Sequence, residues 1–165
     1  MCRRNELVSF YKYGFHKGFY NDGDDPTKAL YHIKYTDFFE PHEDVYFPFY
    51  DAHDLLCGSC HHFALSLKAV LNYDPYIIEG IDKADFHAFF KVYKNSKWYY
   101  IDARGATTSF DEFMVIARKF VAGEYIIRPI DVSDIAKWKE GFCYEDEAYA
   151  FAEAFIKEYR ECYEI

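Results

Sequence analysis

No apolar run in this sequence approaches the roughly 18 residues that a membrane-spanning helix requires, and the charged, apolar and small-residue order of a secretory signal is missing. A soluble, cytoplasmic chain is expected. Basic charge is also scarce, with 19 Lys and Arg against 28 Asp and Glu, a net charge of −9. That field repels phosphate backbones and anionic lipid heads, and Arg3 and Arg4 are too short a basic run to reverse it. Neither nucleic acid nor a membrane is an expected partner. Cysteine is limited to Cys2, Cys57, Cys60, Cys143 and Cys162. An odd count in a chain long enough to build its own core does not read as a disulfide framework, so free thiols are the default. Internal repeats, low-complexity stretches and linkers are lacking, which predicts a single domain over residues 1–165.

What the chain does have is aromatic mass: 17 Phe, 17 Tyr and 2 Trp make 22% of its residues. Bulky rings with few torsions serve both as core and as contact surface. Most are expected in the core or on half-buried strands, some along a groove.

Hydrophobic periodicity divides the chain into elements. A helix is expected around Asn5 to Lys17, then a turn through Asn21-Asp22-Gly23-Asp24-Asp25-Pro26 and a short helix from Thr27 to about Tyr35. Pro41 and Pro48 make Phe38 to Asp51 an extended segment. From Ser59 or Cys60, the apolar residues Phe63, Ala64, Leu67, Val70 and Leu71 recur at helical spacing until Asn72 and Pro75. Strands are predicted at Tyr76–Ile78, Phe86–Tyr93 and Lys97–Asp102, the last two joined as a hairpin through Asn95-Ser96. A helix over Ser109–Phe120 opens with the capping-box spacing of Ser109 and Glu112. A strand over Glu124–Ile130 and a helix from Glu145 to about Glu161, expected to pack on the sheet, complete an α+β fold.

Chemistry concentrates in three residues. Cys60 stands at a helix start, where unpaired amides and the positive end of the helix dipole favour thiolate, and Gly58 lets the chain turn sharply before it without a side chain in the way. His87, 27 residues on, lies at the start of a strand, and Asp102, 15 residues further, ends the next one. Counted outward from Asn95-Ser96, both sit at the open end of the hairpin, within reach of an imidazole–carboxylate hydrogen bond. A nucleophile, a base and an orienting acid are the parts of a thiol triad.

Gly58-Ser59-Cys60 followed by a helix, His87-Ala88-Phe89 in a strand, and Lys97-Trp98-Tyr99-Tyr100-Ile101-Asp102 together resemble the transglutaminase-like core of the papain-like superfamily, over about residues 56–105. The resemblance implies a helix bearing the Cys60 nucleophile against an antiparallel sheet bearing the His87 base and the orienting Asp102, with extra N- and C-terminal helices. It also implies amide or related acyl chemistry on a protein or peptide substrate, as in crosslinking acyltransferases, deamidases, proteases and glycan-releasing amidases, without a cofactor or metal. Cys57-Gly58-Ser59-Cys60 is similar to the papain nucleophile motif as well. Asp54 stands six residues before Cys60 where papain-type enzymes carry the oxyanion-hole Gln, and His61 follows where they carry Trp.

Competing readings use the same residues. Cys57-x-x-Cys60 has the spacing of a redox dithiol, and Cys57, Cys60, His61 and His62 are soft ligands suited to a small zinc site. A non-catalytic module that holds a basic protein partner on an aromatic, acidic surface is the other alternative. One of His61 and His62 is placed to border the site, whereas His16, His32, His42 and His53 show no pattern. Arg104 is expected to pair with an acidic side chain of the protein, or else to grip a substrate carboxylate. Trp98 is expected on the hairpin face. Asp22, Asp24 and Asp25 lack the ligand order of a calcium loop.

Overall fold

The computed structural model of the chain describes residues 26–40, 51–141 and 146–165. The expected helix at Asn5 to Lys17, the turn at residues 21–25, most of the Pro41/Pro48 segment, and Cys2, Cys143, His16 and His42 lie outside these residues.

Five strands, β1 (Pro75–Gly80), β2 (Phe86–Lys94), β3 (Lys97–Asp102), β4 (Gly105–Thr107) and β5 (Tyr125–Pro129), form one sheet in the order β4-β3-β2-β1-β5. Every pairing is antiparallel. Asn95 and Ser96 both adopt positive φ, 52° and 60°, the twist that closes a two-residue hairpin without splaying its strands. Four α-helices accompany the sheet among the described residues: α1 (Cys60–Leu71), α2 (Phe110–Phe120), α3 (Val132–Glu140) and α4 (Asp146–Glu158). The architecture is α+β, as the sequence predicts.

Strand alternation sends neighbouring side chains to opposite faces. Ile77, Ala88, Phe90 and Ile101 join the larger core with Phe63, Ala64 and Leu67 of α1 and Phe151, Ala152 and Phe155 of α4. Ile78 and Phe89 join a second core with Phe113, Met114 and Ala117 of α2, beside Tyr100. The sheet is thus buried on both faces, and rings hold the second core tightly: Phe113 lies 4.5 Å from Phe89 and 5.6 Å from Tyr100.

Local chemistry sets the element ends. Asn72 takes a left-handed conformation, φ 58°, and closes α1. Ser109 caps α2 by accepting the Glu112 N–H at 3.2 Å, but Glu112 turns to the Thr107 hydroxyl instead of completing the box. The expected helix at Thr27 to Tyr35 is instead two 3-10 helices, Pro26–His32 and Tyr35–Asp37. Lys34 between them is extended and bridges to Asp51, which interrupts the helical path.

Two elements were not anticipated from the sequence. β4 is a three-residue edge strand, and α3 is a polar helix capped by Asp131, whose carboxylate accepts from the Ser133 and Asp134 amides. Arg128 on β5 joins the buried carboxylates of Glu79 and Asp134 with contacts of 2.7 to 3.1 Å, which fastens α3 to the sheet edge. One expectation is corrected: α4 packs chiefly on α1 and not on the sheet. Its face of Ala148, Phe151, Ala152, Phe155 and Ile156 meets Phe63, at 6.4 Å from Phe155.

Candidate active site

The turn before α1 is compact. Leu55, Leu56 and Cys57 donate their amides to Ala52 and His53 carbonyls, and Ser59 donates to the Asp54 carbonyl at 2.9 Å. Gly58 lies at φ +105°, a region closed to residues with a Cβ, and the space around it is open. Glycine is therefore required here for its backbone and not to clear room. Ser59 provides no side-chain cap and the first turn of α1 has no acidic residue, so the sulfur of Cys60 is the anion-forming group at this helix start.

α1 meets the sheet at the beginning of β2. There the Ala88 N–H donates to Cys60 Sγ at 3.4 Å, and His87, one residue earlier, points to the opposite face of the strand. His87 is fully buried, its ring stacked at 5.5 Å on Phe120 and 6.1 Å from Phe113. The Phe90–Ile101 pair sets the β2–β3 register. Asp102 falls one step beyond it and stands diagonal to His87, not directly opposite. The carboxylate closes that gap: Asp102 Oδ2 and His87 Nε2 form a long contact of 3.4 Å. His87 Nδ1 remains buried without a hydrogen bond of good geometry, and the thiol lies close enough to the ring for each to shift the other's titration.

Arg104 fixes the acid. β3 and β4 are joined by the tight turn Asp102-Ala103-Arg104-Gly105, with Gly105 at φ 104°. The Arg104 guanidinium folds back on Asp102 at 2.6 Å from Nη2 and 3.0 Å from Nε, and its backbone N–H donates to Oδ1 at 3.0 Å. Its remaining donors reach the Glu112 and Phe113 carbonyls at the start of α2. Arg104 thus pairs with an acidic residue of the protein, and that residue is the candidate orienting acid itself. The Tyr163 hydroxyl donates to the Ala103 carbonyl at 3.0 Å, so the corner is held from both sides.

These contacts separate the protonation states. Burial opposes charge on Cys60, but hydrogen bonds with His61 and His87, the His87 charge and the Ala88 amide bring the thiol down to about 6. Burial likewise opposes charge on His87, yet Asp102 and Cys60 raise the imidazole to about 9. Against burial, the Arg104 charge first and then the hydrogen bonds of His87 and Arg104 hold the Asp102 carboxyl well below the usual carboxylate range. Between about pH 6 and 9 the favoured state is a thiolate–imidazolium pair beside an ionised acid. Cys57 differs in kind: burial, Cys60 and Asp102 push its thiol up to about 11.

All three predicted residues come together. His61 also borders the sulfur, its buried ring 5.1 Å from Trp138 of α3 and 6.2 Å from Phe86 of β2. His62 turns away toward Tyr149, 4.9 Å off, and burial, then the neighbouring His61, lowers it to about 3. The ring walls of Phe86, Trp138 and Phe120 carried no signal in the sequence beyond their aromatic character. Trp98 pairs with Tyr93 at 5.0 Å on the hairpin face. His53 stacks on Tyr31 at 4.2 Å with Nε2 3.5 Å from Cys57 Sγ. Cys57, Cys60 and Cys162 are free thiols, and no three His, Cys, Asp or Glu side chains among the described residues are gathered as a metal site. No helix among them is long and apolar enough to cross a membrane.

Comparison of the chain with protein-family models, with curated proteins and with solved structures finds no match.

Proposed function

We propose that the protein is a cysteine-dependent hydrolase or acyltransferase of transglutaminase-like, papain-like architecture, acting on an amide bond of a protein or peptide through Cys60, His87 and Asp102. The observation that carries this reading is the buried line from Cys60 through the His87 ring to Asp102, with the thiol lowered to about 6 and the imidazole raised to about 9. A merely structural cysteine in such a dry place would have its pKa raised, as burial raises that of the buried Cys162.

The reaction begins with the thiolate adding to the carbonyl carbon, the carbonyl electron pair moving to oxygen. As the tetrahedral intermediate collapses, the carbon–nitrogen bond breaks and the imidazolium of His87 protonates the leaving amine. Neutral His87 then takes a proton from water, or from a second amine, as that nucleophile attacks the thioester, and the carbon–sulfur bond breaks to release the acyl product and return the Cys60 thiolate. Asp102, held by Arg104, keeps Nε2 engaged and balances the imidazolium charge. Hydrolysis is the preferred outcome, and free thiols accord with a reducing, cytoplasmic setting.

Burial favours one second reading. Cys60 is only 6% exposed and His87 not at all, as suits a binding module that retains the trio as structure. Iodoacetamide titration with mass-spectrometric mapping separates the two. Cys60 is expected to alkylate with a midpoint near pH 6, well ahead of Cys162, and His87→Ala to move that midpoint upward and slow the reaction at neutral pH by roughly tenfold or more. A Cys60 no more reactive than Cys162 leaves the binding-module reading in place.

A further inference from the structure

On its outer side β3 is covered along part of its length. β4 pairs with Tyr100, Ile101 and Asp102 and ends at Thr107, where Ser109 turns the chain into α2. Lys97, Trp98 and Tyr99 therefore have β2 on one side and an open edge on the other. Strand alternation decides which backbone groups face that edge. Lys94 and Lys97 close the two-residue turn as a hydrogen-bonded pair, so Lys97 and Tyr99 bond to β2 while Trp98 and Tyr100 point away from it. Tyr100 meets Thr107 there, whereas the Trp98 N–H and C=O have no strand partner on that side among the described residues.

We propose that the open edge of β3 at Lys97, Trp98 and Tyr99, with the Tyr93 and Trp98 rings beside it, docks an extended acidic segment of a partner protein. This does not rest on the triad reading: Tyr93 lies six residues along β2 from His87, about 20 Å at the rise of a strand. Tyr93 is 60% exposed and Trp98 44%. Their rings stand 5.0 Å apart, with Lys91 Nζ 4.4 Å from the Trp98 ring centre. Charge selects the partner. From Phe86 to Ile101 the chain has no Asp or Glu and carries Lys91, Lys94 and Lys97, although the molecule as a whole stands at −9. Lys94 is taken by the Ile165 carbonyl. Lys91 on the ring face and Lys97 on the opposite face flank the edge, a placement that meets acidic side chains on either face of an added strand.

Other occupants fit less well. An edge lysine by itself blunts an edge against pairing, but exposed rings beside it favour contact. A second copy of this chain would bring Lys97 against like charge. A lipid surface would leave the Trp98 backbone groups without partners, whereas an added strand satisfies them.

Fluorescence anisotropy of the full chain tests this with three fluorescein-labelled heptapeptides: alternating Glu and Val, alternating Lys and Val, and alternating Glu and Pro, which has the charge but cannot pair along an edge. The Glu–Val peptide is expected to bind saturably, the Lys–Val peptide not at all, and the Glu–Pro peptide at least about tenfold more weakly. Trp98→Ala and Lys97→Glu should each weaken Glu–Val binding about tenfold, with unchanged urea midpoints showing that both variants are folded. Ile126→Ala, an exposed apolar position on β5, should leave binding as in wild type. Hydrogen exchange of the Trp98 amide should slow at least about tenfold when the peptide saturates the protein. No saturable binding of the Glu–Val peptide, equal binding of the Lys–Val peptide, or binding that leaves Trp98 exchange unchanged overturns the proposal. Capture by phosphatidylserine–phosphatidylcholine vesicles without peptide binding overturns it in favour of a lipid surface, and self-association abolished by Trp98→Ala without peptide binding overturns it in favour of a second copy.

Discussion

Asp102 has two partners with different tasks, a histidine whose orientation it sets and an arginine that keeps it ionised. Both ion-pair partners are nearly inaccessible, with Arg104 at 1% and Asp102 at 3% side-chain exposure. Arg104→Met therefore leaves a buried carboxylate with only His87 and the residue-104 backbone amide as partners, with an expected loss of about 3 to 5 kcal/mol in urea unfolding. Arg104→Lys keeps the charge but not the fork and should fall between Arg104→Met and wild type. The paired titrations also set a pH window. Activity requires Cys60 ionised, so it rises through about 6, and His87 protonated, so it falls through about 9. A bell with those limbs in kcat/KM is the expected profile, and the rise should move upward in His87→Ala. For stability the sign runs alongside: the raised His87 contributes fully below its ordinary value of 6.5, and that share is lost as pH climbs through about 9. Cys60, His87 and Asp102 were legible because each stands at an element end with a recognisable context. The partner of Arg104 was not, because pairing two residues apart depends on the tight β3–β4 turn.

At the scale of elements, α1 and the β2–β3 hairpin were plain in the sequence, since apolar spacing and the Asn95-Ser96 turn are local signals. α3 was hidden: its surface is mostly polar, its large apolar residues are Val132, Ile135 and Trp138 with Val132 turned to solvent, and an arginine on a strand anchors it. The apolar face of α4 could be read, but a stripe does not name its partner, and small Ala148 and Ala152 suit close approach to a helix as well as to a sheet. The turn into α1 gives this scale its prediction. Gly58→Ala meets no steric obstacle, yet must hold φ near +105° or abandon the turn. A loss of roughly 1 to 2 kcal/mol is expected, with slower Cys60 alkylation at pH 7 as the helix start shifts. Gly123→Ala, where the added Cβ also meets open space, is the matched control and should leave alkylation unchanged.

Across the whole molecule, a net charge of −9 surrounds a site that itself carries a thiolate, an imidazolium, a carboxylate and a guanidinium. The acidic field favours approach of cationic reagents and screens out with salt. A positively charged methanethiosulfonate should therefore modify Cys60 faster than a negatively charged one. The ratio should exceed that for a neutral cysteine peptide and shrink toward it between 10 mM and 500 mM salt (Debye length roughly 30 Å falling below 10 Å). A ratio unchanged by salt would mean that the local site and not the field governs access. No pattern in the sequence foretold the burial of the trio, because burial is a property of the two-faced sheet and its helices together.

The hydroxyl of Tyr163 on the Ala103 carbonyl joins positions 60 residues apart, and that separation orders events in time. A ribosome lays down Cys60, His87 and Asp102 well before it reaches Tyr163, which also packs 5.3 Å from Phe63 on the helix of the nucleophile. A nascent chain thus owns every reactive group before it owns the latch that holds the acid's turn to that helix.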